Sequence, residues 1–319
     1  MFSSLYTASD SDEPTGFDLC EEAAPVTTET PTTPESSIAA IELHSPLDLP
    51  VPPEALLLLA DVEDALGRGG HFEKAHDGDG VWLLRSADGD EIAVFKDEHD
   101  EEGDRSKMSV AIQRGCQKGQ RARREYLAYL LDSALPAQLR AGVPATCLVQ
   151  VYHRSMGMLH KFGSVQRYIT GMGSSEDFGA SKFDLMNVQR IAIFDLLTLN
   201  LDRHGGNMLV DEYGTLIPID HGYSLPEEIA GEPWLDWRLW PQAGLVDEEL
   251  RLHVQQLNPL FSKNSVSALG LPDGVWHNVA RRTVQLQQAL TAGDSLRDVA
   301  EALMQSPALQ TCQELRVGA

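Results

Sequence analysis

Leu199-Asn200-Leu201-Asp202-Arg203-His204-Gly205-Gly206-Asn207, followed after a short interval by Leu216-Ile217-Pro218-Ile219-Asp220-His221-Gly222, is the most informative part of the sequence. It stands behind residues 185–199, where Ile191, Ile193, Phe194, Leu196 and Leu197 leave almost no polar face, the pattern of a buried helix. Residues 207–210 and 216–219 read as short strands around Asp211-Glu212-Tyr213-Gly214, a turn-forming run, and predict a hairpin. Asp, Asn and Gly taken singly are ordinary turn residues. The order of helix, polar loop, hairpin and second polar loop is what brings Asp202, Asn207 and Asp220 to one rim.

Three such oxygen-bearing side chains suit phosphoryl transfer, where the protein's work is positioning and charge stabilisation. An Asn amide oxygen and a carboxylate at the ends of paired strands converge on a hard cation, so Asn207 and Asp220 are the candidate Mg²⁺ ligands, with Mn²⁺ as an alternative ion. Asp202, on the loop before that Asn, is placed to orient an acceptor hydroxyl and take its proton. Arg203 and His204 are candidates to stabilise charge on the transferred group. Arg203 reads equally well as the partner of a structural carboxylate.

Toward the N-terminus, residues 81–85 and 91–96 are strand candidates joined by Ser86-Ala87-Asp88-Gly89-Asp90, a hairpin signal. Residues 119–135 form an amphipathic helix, residues 146–152 and 165–169 are extended, and residues 54–66 make a short leading helix. Gly171 and Gly173 close this half. Residues 247–305 are helical by periodicity. A β-rich half followed by a helical half makes the class α+β.

The two loops resemble the catalytic and metal-binding loops of the phosphatidylinositol 3-/4-kinase family, most closely its plant gamma-type phosphatidylinositol 4-kinase branch. The resemblance covers roughly residues 75–305, about seven-tenths of the chain. It implies a two-lobed protein-kinase-like fold, with an N-lobe over residues 51–165, a C-lobe over 166–310 and a tail at 311–319. In Ile92-Ala93-Val94-Phe95-Lys96 it implies that Lys96 binds ATP phosphates, and in Arg123-Arg124-Glu125-Tyr126 that Glu125 pairs with that lysine. Asp77-Gly78-Asp79-Gly80 resembles the turn covering the phosphates, where Gly78 and Gly80 would let backbone N–H groups approach. Phe162 to Ile169 stands in the place of the interlobe hinge, so backbone near Gln166 to Tyr168 would meet adenine. Trp234, Trp237 and Trp240 recur at three-residue spacing, as in that family, and read as core or as a face for a membrane.

The acceptor is harder to read. The family implies phosphatidylinositol, yet residues 221–237 hold no Lys or Arg and do hold Glu227, Glu228, Glu232 and Asp236, which suits a basic protein acceptor. A protein Ser/Thr kinase and a nucleotide-binding scaffold are the alternatives, the second opposed by the intact Lys96, Asp202, Asn207 and Asp220. A net charge of −23 argues against nucleic acid and against simple adhesion to anionic lipid. Residues 1–50 contain ten carboxylates and no Lys or Arg, and are expected to be a disordered acidic tail, with Arg121, Arg123 and Arg124 as a basic patch for it to fold over. Four cysteines lie far apart and read as free thiols. No apolar run is long enough to span a bilayer, and the default location is cytoplasmic, with peripheral membrane contact left open.

Overall fold

The structure, a computed structural model, describes residues 39–44, 49–75, 80–99, 105–158, 160–258 and 262–305. Strand β1 (Ala39–Leu43) leads into helix α1 (Pro53–Gly67), β2 (His71–Lys74), β3 (Val81–Arg85) and β4 (Glu91–Asp97). Helices α2 (Val110–Gly115) and α3 (Arg121–Ala134) precede β5 (Thr146–His153) and β6 (His160–Arg167). These six strands form one antiparallel sheet in the order β1-β5-β6-β4-β3-β2. Gly89, at a φ of +96°, makes the β3–β4 turn that the Asp-Gly pair predicted.

The expected disordered tail through residue 50 is corrected here. Ala39–Leu43 pair with Val149–His153 as the edge strand β1, because Ile41 and Leu43 find an apolar sheet edge to pack against. Leu49 and Val51 also pack on the core, ahead of α1. β6 runs two residues past the expected lobe boundary, and α2 and β2 were not foreseen; each is too short for its periodicity to stand out.

Lys96 stands in the centre of this sheet, opposite Val81 on one side and Ser164 on the other. The strands approach closely there because Gly163 has no side chain: a Cβ at that position would land on the Lys96 carbonyl oxygen and within 2.9 Å of its carbon and of a Phe95 ring atom. Neither neighbour is a flexible chain end. Gly163→Ala is therefore expected to destabilise the protein by about 1–3 kcal/mol, read as a lowered midpoint in chemical unfolding.

The helical part is built around α4 (Leu185–Thr198), capped by the Asp184 carboxylate on Asn187 N at 2.9 Å and buried on nearly every side. Around it lie β7 (Gly171–Ser174), β8 (Asp202–Arg203), β9 (Met208–Asp211), β10 (Leu216–Pro218) and β11 (Trp234–Leu235), then α5 (Glu248–Gln255), α6 (Lys263–Ala268), α7 (Asp273–Ala292) and α8 (Leu296–Met304). β9 and β10 are the hairpin read from Asp211 to Gly214. The pair Gly171 and Gly173 does more than end the first half: Gly171–Ser174 is β7, which joins β9. A β-sheet N-terminal part and a helical C-terminal part make the fold α+β. No helix among the described residues is long and apolar enough to cross a membrane.

Candidate active site

β4 carries Lys96 toward the helical part, and α3 carries Glu125 to meet it; the two form an ion pair in which Glu125 is 1% exposed. Lys96 Nζ also lies 3.2 Å from Asp220 Oδ1. Glu125 reaches further with its second oxygen, which accepts the His221 backbone N–H at 3.0 Å. One carboxylate thus ties the sheet's central lysine to the loop that follows β10. Burial works against the lysine's charge, but the Asp220 and Glu125 carboxylates outweigh it and hold the ammonium above its ordinary range. Burial likewise works against the Asp220 anion, and the Lys96 and Arg121 cations overcome it, holding that carboxyl far below the usual range. Asp220 has a φ of +53°, a conformation that costs a non-glycine residue energy and persists where surrounding contacts demand it.

Asp202 and Asn207 flank this loop from the other side. The Asn207 side chain is nearly buried and its amide donates to the Asp202 carbonyl at 2.9 Å, which turns Oδ1 away as the acceptor. The Asp202 N–H is held by Asn200 Oδ1, also at 2.9 Å. Burial pushes the Asp202 carboxyl up, opposed mainly by His204 and reinforced by the charge of Asp220. Asn207 Oδ1 and the Asp220 carboxylate are hard oxygen donors of the kind Mg²⁺ takes, one or two at a time with phosphate oxygens completing the shell, so the residues fit that ion. No cluster of three His, Cys, Asp or Glu side chains that could hold a metal occurs among the described residues.

Arg203 takes the second of its two readings. It is wholly buried, and its guanidinium donates to both Asp195 carboxylate oxygens at 3.1 and 3.2 Å, to the Asn207 and Ile219 carbonyls at 2.6 Å each, and to His221 Nε2 at 2.9 Å. It holds the two loops in register from the core, all three of its nitrogens bonded to internal partners. Burial beside the Arg203 and Lys96 cations keeps His221 well below its ordinary range and hence neutral. His204 is 38% exposed, with Nδ1 accepting the Gly206 N–H at 3.1 Å.

Two clefts meet this constellation. The first, about 350 Å³, is lined by Val94, Lys96, Gln166, Tyr168, Leu209 and Ile219 among others. Gln166 forms part of its wall, its amide spent on Thr146 Oγ1 at 3.0 Å, and the Arg167 and Tyr168 N–H groups are taken by Ala145 O and Ile92 O. Gln166, Arg167, Tyr168 and Ile169 all line this cleft. Gly80 is buried at a φ of +74°, and its carbonyl accepts the Asp97 N–H at 2.8 Å, beside Lys96; Gly78 lies outside the described residues. The second cleft, about 710 Å³, opens on Asp202 and is lined by Lys107, Met108, Tyr223, Trp234, Arg238 and Leu239 among others. The tryptophan stripe divides: Trp237 is core and donates to Asp195 at 3.0 Å, Trp240 stacks on Phe183, and Trp234 is 59% exposed at the second cleft.

Residues 109–246 match the family model described as phosphatidylinositol 3- and 4-kinase. Over that segment the chain is similar to the phosphatidylinositol 3- and 4-kinase family. Phosphatidylinositol 4-kinase gamma 4 of Oryza sativa subsp. japonica is 37% identical over 183 residues, 51% of this chain and 32% of that protein. Phosphatidylinositol 4-kinase gamma 8 of Arabidopsis thaliana is 31% identical over 258 residues, 70% and 47% of the two chains, and gamma 2 of the same plant is 30% identical over 295 residues, 82% and 52%. The chain spans between about a third and a half of the length of these relatives. Among solved structures, the pseudokinase domain of BIR2 covers 88% of the chain at 13% identity, with a TM-score of 0.28.

At this site the sequence reading missed how α3 grips the loop after β10. Arg121 Nη2 lies 3.2 Å from Asp220 Oδ1, and the fully buried Arg124 donates to the Ser224 and Leu225 carbonyls and to Gln120. Arg123 pairs with Glu98 at 2.7 Å and caps the Leu269 carbonyl. The proposed basic patch for an acidic tail is therefore corrected: these three arginines are committed to internal partners. The only advance signal was three arginines in four positions beside an otherwise apolar stripe.

Proposed function

We propose that the chain is an ATP-dependent phosphotransferase with an alcohol acceptor, and that the acceptor is phosphatidylinositol, as in a 1-phosphatidylinositol 4-kinase. The observation that carries this reading is the meeting of Lys96, Glu125 and Asp220 between a nucleotide-sized cleft and a second cleft that opens on Asp202. Adenine would enter the first cleft beneath Val94 and against Leu209, with Lys96 offering its charge to the phosphates and Glu125 holding it there. Asn207 and Asp220 would hold Mg²⁺, which when bound neutralises charge on the phosphates. Asp202, its carboxyl raised by burial, would align the acceptor hydroxyl and take its proton as the new bond to phosphorus forms.

Lipid is favoured over a basic protein by the second cleft. The linear loop from 221 to 237 carries only acidic charge, but Lys107 and Arg238 come from either side of it and line the same cavity as Asp202. Exposed Trp234 and Leu239 border them. Two cations with apolar neighbours suit an anionic headgroup bearing acyl chains better than they suit a basic peptide. Cytoplasmic residence with peripheral membrane contact accords with this.

The test incubates the full chain and radiolabelled MgATP with phosphatidylinositol vesicles or with basic protein substrates. Label in lipid is the expected result. Label in protein alone would move the acceptor to Ser or Thr, and label in neither, with nucleotide still bound, would leave a scaffold.

A further inference from the structure

We propose that Gln166 selects the base in the first cleft, its Oε1 accepting the 6-amino group of adenine and turning away the 6-oxo edge of guanine, with Thr146 holding it in that orientation. The inference rests on the kinase reading above and adds to it the side chain that decides which nucleoside triphosphate is used.

The register of the sheet sets which way Gln166 points. Directly opposite residues of an antiparallel pair share a face, and Gln166 stands opposite Val94 on β4 and opposite Thr146 on β5. Val94 and, two residues on, Lys96 line the first cleft, as Gln166 does. Its side chain therefore lies on the face that carries Lys96, while the next pair along, Cys147 and Val165, is turned to the core. The backbone donors beside it are committed: the Arg167 N–H goes to Ala145 O at 2.8 Å and the Tyr168 N–H to Ile92 O at 3.2 Å.

Thr146 fixes which end of the amide faces the cleft. Its hydroxyl donates to the Pro144 carbonyl at 2.8 Å, and a carbonyl only accepts. With that hydrogen used, Thr146 Oγ1 has only acceptor capacity left, so the group 3.0 Å from it is the Gln166 nitrogen. The amide oxygen stands at the other end, and among the described residues no protein donor meets it. Thr146 is wholly buried and Gln166 is 5% exposed, so a flipped amide would set oxygen against oxygen with no water to relieve the contact.

Adenine presents an amino donor at its 6-position and guanine an oxygen. An acceptor fixed in a buried wall bonds the first and meets the second lone pair to lone pair. The rejected base leaves that acceptor unpaired, which makes a site of this kind more selective than a purely apolar one. A glutamine that only packed the sheet would not distinguish two purines of similar size.

The experiment measures dissociation constants of the full chain, in Mg²⁺ buffer, for ATP, GTP and inosine triphosphate, which carries the 6-oxo group without guanine's 2-amino group. Wild type is expected to bind GTP and inosine triphosphate at least about tenfold more weakly than ATP. Gln166→Leu should weaken ATP about tenfold and leave GTP within about threefold, closing the gap. Thr146→Val, which removes the lock and keeps the glutamine, should narrow the gap by a smaller factor. The urea midpoint of each variant checks that it is folded; where one is not, the wild-type ranking of the three nucleotides decides. A wild-type ranking that ignores the 6-substituent, or a folded Gln166→Leu chain that loses ATP and GTP in equal proportion, overturns the inference while the kinase reading stands. A wild-type chain that binds none of the three overturns both.

Discussion

Asp220→Ala is expected to abolish Mg²⁺-dependent ATP binding, raising the dissociation constant for MgATP by about a hundredfold or more, whereas Asp202→Ala changes it by less than about threefold. The difference follows from what each carboxylate touches. Asp220 Oδ1 lies 3.2 Å from Lys96 Nζ and from Arg121 Nη2, and its backbone at a φ of +53° is held by Glu125 through the next residue's N–H. Removing it deletes the charged ligand of the proposed ion site and leaves two cations facing each other across the gap. Asp202 stands on the other cleft, and its carboxylate makes none of the contacts that tie the sheet to the helical part. Its loss should appear in the chemical step, as a fall in transfer rate of about 10²–10⁴. Titration calorimetry with and without EDTA, paired with a transfer assay, separates the two. Equal nucleotide affinities in the two variants would contradict the assigned roles.

Arg203→Leu is expected to cost about 3–5 kcal/mol of folding stability, the largest stability effect anticipated in the chain. The guanidinium and the Asp195 carboxylate are both 0% exposed, so deleting one charge strands the other in a medium that cannot solvate it. The loss is compounded because the same guanidinium satisfies the Asn207 and Ile219 carbonyls and bonds His221, groups on both loops of the site. Burial already pushes the Asp195 carboxyl up against the opposing pull of Arg203, so removing the arginine should drive it to protonate. The paired variant Asp195→Leu with Arg203→Leu should recover part of the stability, because no unpaired charge remains, though not the loop register. Urea unfolding of the three variants measures this; single and double variants of equal stability would show that the pair is not the unit argued here.

The site was only partly legible before the fold was known. Local signals were reliable where a short segment carries its own geometry: the Asp88-Gly89 turn, the β9–β10 turn at Asp211 to Gly214, and the all-round apolar helix α4 appear where the residues placed them. The order of Asp202, Asn207 and Asp220 around that hairpin was readable for the same reason. β1 was missed because a strand in an acidic segment has no local driving force; it forms because β5 presents an unpaired edge. The arginines of α3 were misread because a guanidinium's role depends on which carbonyl or carboxylate lies opposite, and those partners are distant in the chain, about 100 residues away for Arg121 and Arg124.

Hydrophobic periodicity and turn chemistry act over a few residues, so they were sufficient to specify a β-rich half, a helical half and the three oxygen-bearing positions between them. Which charges meet is set by long-range packing. The Lys96–Glu125 pair was expected from the family resemblance; tertiary structure alone brought Arg121 to the Asp220 loop, withdrew Arg203 into the core, and set Lys107 and Arg238 beside Asp202 in a cleft whose own loop is acidic. The physical reason is that an ion pair has no sequence period: it records only the distance between two side chains after the core has closed.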